Sequence, residues 1–193
     1  MKIALFFGSF NPVHIGHMAI ANYMLEFTNA QQLWFVVSPQ SPFKQKQSML
    51  NAYERVSLLH DAIDDNYVKY KVSDIEFKMP KPSYTIDTLT YLKEKFPKNE
   101  FALIMGSDNL NSLKKWKNYE LILENHELYV YPRPDYNGDD FKNHEKVKII
   151  QAPLMEISSS FIRKSIKQKK DIEFFMPHKA YKYMKEMHFY ENL

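Results

Sequence analysis

Residues 2–17 read KIALFFGSFNPVHIGH, and this stretch decides the fold. Lys2 to Phe7 is a short, nearly continuous apolar run, the pattern of a strand covered on both faces. Gly8 ends the run and Pro12 forbids a continuing ladder. A segment of helical period then runs from Ile15 to Phe27. Strand, glycine, turn and helix in this order open a βα unit. The N-terminus of such a helix carries unpaired N–H groups and the positive end of the dipole. His17 falls in the first turn and His14 just ahead of it, so both imidazoles converge on a natural phosphate site. An imidazole there can donate to phosphoryl oxygens as charge builds in a transition state. Gly8, Ser9 and Phe10 offer backbone N–H groups to the same anion.

Competing readings of the two histidines are weaker. A metal pair would need further ligands, but the chain has no cysteine, and no other His or carboxylate keeps ligand spacing nearby. The dinucleotide fingerprint needs three glycines in G-x-G-x-x-G order, which this turn lacks. Ordinary capping or surface histidines remain as the bland alternative.

Outward from this unit, short apolar runs alternate with helical segments. Strands are expected at Lys2–Phe7, Leu33–Ser38, Tyr70–Phe77, Phe101–Met105, Glu127–Tyr131 and Val147–Gln151. Helices are expected at Ile15–Phe27, Ala52–Asp64, Thr85–Phe96, Asn109–Glu124, Ser159–Lys167 and His178–Met187. Alternation of this kind predicts an α/β fold with a parallel, doubly wound sheet. Ligands of such sheets sit at the strands' carboxyl ends, where strand order reverses. The informative loops are therefore 8–14, 39–49 and 106–108, with the entry to the Ser158 helix. Only four glycines occur in the chain; Gly8 and Gly106 each follow a strand, and Gly16 lies between the histidines.

The whole chain sets limits on this picture. Its 193 residues suffice for one domain with a real core, expected to span 1–193. Absence of cysteine excludes disulfides, thiolate metal sites and a cysteine nucleophile. The opening apolar run is too short for a signal-peptide core or a membrane span. A soluble, cytoplasmic protein is expected, with no membrane partner. A net charge of +3 is too mild to argue for nucleic acid. The basic cluster Arg163, Lys164, Lys167, Lys169 and Lys170 reads first as a solvated helix face.

G-S-F-N-P-x-H-x-G-H resembles the N-terminal signature of the nucleotidylyltransferases, and within them that of the bacterial nicotinate-nucleotide adenylyltransferases. The HIGH core is shared with one class of aminoacyl-tRNA synthetases, but this chain has no room for the rest of a synthetase. A second signature agrees. ISSSFIR (Ile157–Arg163) is similar to the family's I-S-S-T/S-x-I/L-R. Physically, Ser158 or Ser159 caps a helix, and Arg163 lies one turn in with a planar fork for phosphate charge. IMGSDN (Ile104–Asn109) resembles the family's glycine–aspartate motif, with Ser107 as a variant. Gly106 permits close backbone approach there, and Asp108 can accept from ribose hydroxyls or cap the next helix.

SYTIDTL (Ser83–Leu89) resembles the loop that lines the family's pyridine pocket, which makes Tyr84 and Thr85 expected substrate contacts. Trp116 matches a tryptophan that packs on the pyridine ring; its bland alternative is a core residue of an amphipathic helix. Lys44, in SPFK, matches a cation for the mononucleotide phosphate, with Phe43 where the family has histidine. Arg133, in YPRPD, falls in a motif resembling R-P-G, with Asp135 in place of glycine. The closing segment 174–190 resembles the family's terminal helix, with Pro177 at its first position.

The resemblance implies a Rossmann-like nucleotidylyltransferase fold of about five parallel strands. It implies ATP plus nicotinate mononucleotide giving nicotinate adenine dinucleotide and pyrophosphate, a late step of NAD biosynthesis. His14 would stabilise the α-phosphoryl group, and His17, Ser159 and Arg163 would hold the leaving phosphates. Gly8 to Phe10, Gly106, Asp108, Ile157 and Ser158 complete the ATP site. Lys44, Tyr84, Thr85, Trp116 and Arg133 make up the mononucleotide site. Mg²⁺ is expected to be held mainly by the ATP phosphates, without a dedicated protein metal site. Rival readings are an adenylyltransferase for nicotinamide mononucleotide or phosphopantetheine, a non-catalytic nucleotide sensor, and an RNA module using Lys164–Lys170. A homo-oligomer is left open.

Overall fold

The computed structural model describes residues 1–39, 49–64, 68–136 and 140–191. Among these residues, six strands form one sheet in which every neighbouring pair is parallel. They are β1 (Lys2–Gly8), β2 (Gln32–Val37), β3 (Tyr70–Ser73), β4 (Glu100–Gly106), β5 (Leu128–Tyr131) and β6 (Val147–Ile149), ordered β3-β2-β1-β4-β5-β6. Strand order reverses between β1 and β4, so a crevice opens beyond their carboxyl ends. Each of the six expected strands forms, one more than the five or so that the resemblance implied.

Among the described residues, seven α-helices cover the two faces: α1 (Ile15–Glu26), α2 (Ala52–Ile63), α3 (Thr85–Lys95), α4 (Ser107–Asn111), α5 (Tyr119–Asn125), α6 (Ser159–Lys167) and α7 (His178–Glu186). Successive strand side chains point to opposite faces, and β1 shows the consequence. Ala4 and Phe6 pack with α1, α2, α6 and α7, while Ile3 and Leu5 pack with α3, α4 and α5. Both faces are buried, which is why β1 and β4 read as unbroken apolar runs.

Beyond shifts of one or two residues at several element ends, the chain departs from expectation at β3, between α4 and α5, and at Pro177. β3 stops at Ser73, and the chain turns into a 3₁₀ segment at Ile75–Lys78. The helix expected over Asn109–Glu124 divides into α4, a 3₁₀ turn at Leu113–Lys115, and α5. Trp116 is extended and Asn118 left-handed (φ 50°), a conformation asparagine tolerates better than most residues. The apolar stripe Leu110, Leu113, Ile122 and Leu123 stays buried through these breaks, so its periodicity suggested one helix. Pro177 stands one position before α7 rather than opening it.

Candidate active site

The two glycines that end β1 and β4 sit at the reversal point. A Cβ on Gly8 would come within 2.8 Å of the Phe10 ring, and one on Gly106 would collide with the Asp108 carboxylate. Close approach, not left-handed backbone, requires glycine here. Residues 9–14 cross the mouth of the crevice as a tight loop with a left-handed Phe10 (φ 45°). The Phe10 ring is buried edge-on against Phe6, Phe35 and His17, which fixes the loop from below.

Two cavities meet at this loop, and Ser9 lines both. The first is lined by Asn11, His14, His17, Arg133, Ile157, Ser158, Ser159 and Arg163. His14 and His17 stack with ring centres 3.7 Å apart. The backbone N–H of His14 donates to His17 Nδ1 at 3.3 Å, so a neutral His17 carries its proton on Nε2. His14 is 5% exposed, and its Nδ1 has no hydrogen-bond partner. Burial, and secondarily the charge of Arg133, lowers its pKa to about 4. At neutral pH His14 is therefore an uncharged N–H donor.

The serine signature folds against this loop. Ser158 caps α6, accepting from the Phe161 N–H at 3.2 Å. Ser159 Oγ donates to the Pro12 carbonyl at 2.8 Å, and Arg163 Nη1 donates to the Asn11 carbonyl at 2.7 Å. Arg163 thus turns inward from the basic cluster, while Lys164, Lys167, Lys169 and Lys170 stay exposed. Arg133, expected beside the mononucleotide, is placed in this cavity instead. Its guanidinium lies 5.1 Å from the centre of the Tyr131 ring. The glycine missing from its motif is replaced by Asp135 at φ 66°, so the turn forms without it. Asp108 lies within the first turn of α4 rather than capping it, and its Oδ1 is buried without a partner.

The second cavity lies on the other side of Ser9, lined by Gly8, Ser38, Glu76, Ser83, Tyr84, Thr85, Trp116 and Lys117 among others. Tyr84 precedes α3 and Thr85 opens it, so the first amides of that helix lack intrahelical acceptors here. Lys117 pairs with Asp87 at 2.9 Å and its ammonium lies 5.0 Å from the Tyr84 ring centre. Trp116 is partly buried, at the edge of the core cluster on that face. Ile157, Ser158 and Ser159 thus join the histidines and Arg163, whereas Tyr84, Thr85 and Trp116 gather separately. Lys44 and Phe43 lie outside the described residues.

Sequence reasoning missed Arg55. It is 1% exposed and donates to the carbonyls of Ser9 (2.5 Å), Ser38 (3.0 Å) and Leu50 (3.1 Å). One buried guanidinium therefore ties the ends of β1 and β2 to the start of α2. Its signal was present: Arg55 shares the stripe Leu58, Leu59 and Ile63, where a charge is out of place. Asn11 was quoted only as part of a motif. Its Oδ1 accepts from the Leu50 N–H at 3.1 Å and from the Tyr190 hydroxyl at 2.8 Å.

Among the described residues no group of three potential metal ligands occurs, and no helix is long and apolar enough to cross a membrane. Comparison with known proteins agrees with this geometry. The cytidylyltransferase-like family model matches residues 5–165. A protein of Flavobacterium psychrophilum, named a probable nicotinate-nucleotide adenylyltransferase, is 54% identical over 99% of this chain and 100% of its own length. One of the same name from Cytophaga hutchinsonii is 47% identical over the full length of both. Among solved structures, Plasmodium falciparum nicotinic acid mononucleotide adenylyltransferase complexed with NaAD superposes with a TM-score of 0.82. It is 23% identical and covers 98% of this chain and 97% of its own, a likeness of fold. The chain belongs to the cytidylyltransferase-like family and, within it, to the nicotinate-nucleotide adenylyltransferases.

Proposed function

We propose that this protein transfers the adenylyl group of ATP to nicotinate mononucleotide. An oxygen of the mononucleotide phosphate attacks the α-phosphorus, the bond to the β-phosphate oxygen breaks, and pyrophosphate leaves. One observation carries the reading: a cavity rich in phosphate donors and a cavity with a flat indole share Ser9 as a common wall. A triphosphate in the first and a pyridine nucleotide in the second would bring donor and acceptor together at the Gly8–Phe10 loop. Proximity of this kind removes much of the entropic barrier, and phosphoryl-type transfer asks for little else besides charge stabilisation.

The neutral His14 donates to the α-phosphoryl oxygens, where its buried position excludes competing water. His17 donates through Nε2 to the leaving phosphates, joined by Arg163 and by the first amides of α6. Arg133 adds a cation to the same cavity. Arg55 holds the Ser9 carbonyl away from the reacting centre, so that the loop's amides remain available. Gly106 and Asp108 border the crevice on the β4 side, where the unpaired Oδ1 suits a ribose hydroxyl. Mg²⁺ supplies charge neutralisation between the phosphates when bound. The nucleotide's phosphate oxygens, rather than protein carboxylates, would hold it.

Pyrophosphate release is the direct test, measured with ATP and each of nicotinate mononucleotide, nicotinamide mononucleotide and phosphopantetheine. The expected result is marked preference for the acid. The amide carries two donors that the α3 amides leave unpaired. Equal or better use of the amide would replace this reading with the amide-using alternative.

A further inference from the structure

Tyr190 carries a group that the core around it does not need. The residue is 3% exposed and belongs to the apolar cluster on the face covered by α1, α2, α6 and α7. A phenylalanine ring would fill that place as well. Burying the hydroxyl costs free energy unless a partner meets it. Its partner is Asn11 of the phosphate loop, whose Oδ1 accepts from it at 2.8 Å. The same Oδ1 accepts from the Leu50 N–H at 3.1 Å. An amide N–H can only donate, so that contact fixes which way the Asn11 side chain points, and the phenol is the donor.

Backbone strain delivers this hydroxyl. α7 ends at Glu186, and beyond it both His188 (φ 54°) and Tyr190 (φ 68°) are left-handed. Bulky residues avoid that conformation unless their surroundings hold them in it. Asn11 is placed to pass the contact on. Its backbone carbonyl accepts from Arg163 at 2.7 Å, and those of Ser9 and Pro12 accept from Arg55 and Ser159. These three donors hold the loop by its carbonyls, whereas Tyr190 holds it by a side chain. Tyr190 lines neither cavity, so it acts through Asn11, which lines the phosphate cavity but not the acceptor cavity.

We propose that Tyr190 is a positioning residue for the ATP half of the reaction. Its hydroxyl holds the Asn11 amide, so that the loop at residues 9–14 keeps its N–H groups and the His14 ring turned to the triphosphate. This rests on the phosphate cavity receiving ATP.

The test compares the KM values for ATP and for nicotinate mononucleotide in the wild type, Tyr190→Phe, Asn11→Ala and the double variant. Tyr190→Phe should raise the KM for ATP about 3–10-fold, the scale of one net hydrogen bond, and leave that for the mononucleotide unchanged. In the Asn11→Ala background, loss of the hydroxyl should have no further effect. A purely structural role would lower the folded fraction, and with it kcat, at constant KM. An unchanged KM for ATP in Tyr190→Phe therefore overturns the proposal. So does an equal rise for both substrates, or the same rise in both backgrounds. Should Asn11→Ala not fold, hydrogen exchange of ligand-free Tyr190→Phe decides. Amides of residues 9–14 should exchange faster than in the wild type while those of β4 do not; no change, or a uniform one, sinks the idea. Failure of the wild type to use ATP at all would instead refute the proposed function, and the exchange measurement, made without nucleotide, would still read the contact.

Discussion

The two ends of the sheet make an instructive pair. Beyond the amino ends of β1, β4 and β5 lies a groove lined by Lys2, Phe101, Ala102, His126 and Glu127. Its central polar groups are paired with one another or with the backbone. Lys2 meets Glu127 at 2.8 Å, Glu127 also accepts from Tyr129 at 3.1 Å, and His126 Nδ1 lies 2.9 Å from the Phe101 carbonyl. At the carboxyl ends the balance reverses. His14 Nδ1, Asp108 Oδ1, Glu76 Oε2 and Ser83 Oγ are the buried side-chain atoms without partners among the described residues. Each follows the carboxyl end of a strand. Native proteins pair nearly all their buried polar atoms. Unfilled hydrogen bonds confined to one end of the molecule mark where a ligand completes the structure, and mere concavity does not.

The comparison breaks most readily at the histidines. His14→Ala and His17→Ala should each cut turnover about 10²–10³-fold, the scale for losing one oxyanion-type donor, with circular dichroism unchanged. Near-normal steady-state rates in both would deny the upper crevice its catalytic role.

His14 also leaves a mark on stability. Its folded pKa is about 4, against an ordinary value of 6.5. Between those limits the unfolded chain binds more protons, so stability falls as pH drops through that window and is flat above it. The loss amounts to roughly 3 kcal/mol at full protonation. Denaturant titrations of the ligand-free protein from neutral pH downward should show this slope, and His14→Gln should lack it. Identical slopes would mean that burial of His14 has no such cost.

Arg163→Lys keeps the charge but loses the planar fork that reaches the Asn11 carbonyl. The KM for ATP should rise about 10–100-fold, as for a lost charged hydrogen bond. Unchanged ATP kinetics in Arg163→Ala would return the residue to the solvated basic face.

The smallest effect belongs to the opposite end. Glu127→Gln weakens a partly exposed ion pair, worth at most about 1 kcal/mol, and should leave turnover alone. A large loss of activity there would erase the distinction between the two ends.

What the sequence disclosed follows the range of the interactions. The β1 strand, its glycine stop and the histidines at the start of α1 are local, decided within sixteen residues, and they were legible. So was the serine cap of α6. Arg55 was not, because the carbonyls that justify it belong to residues such as Ser9, 46 positions away. Glu76 was missed for a related reason: flanked by Ile75 and Phe77, it reads as the polar member of an alternating strand. Arg133 was assigned to the mononucleotide because its motif names a turn, whereas its cavity is set by how β5 pairs with β4. Trp116 reads both as a ring contact and as a helix-core residue, and the choice depends on a break at Asn118 that periodicity hides.

The Tyr190 hydroxyl, 179 residues downstream, donates to the Asn11 side chain that braces the phosphate loop. Synthesis on the ribosome runs from one end to the other, so the first βα unit is made long before that hydroxyl exists outside the exit tunnel. Until then Asn11 lacks one of its anchors, and the loop above Gly8 is unfinished. The brace on that loop is therefore among the last contacts a growing chain can complete.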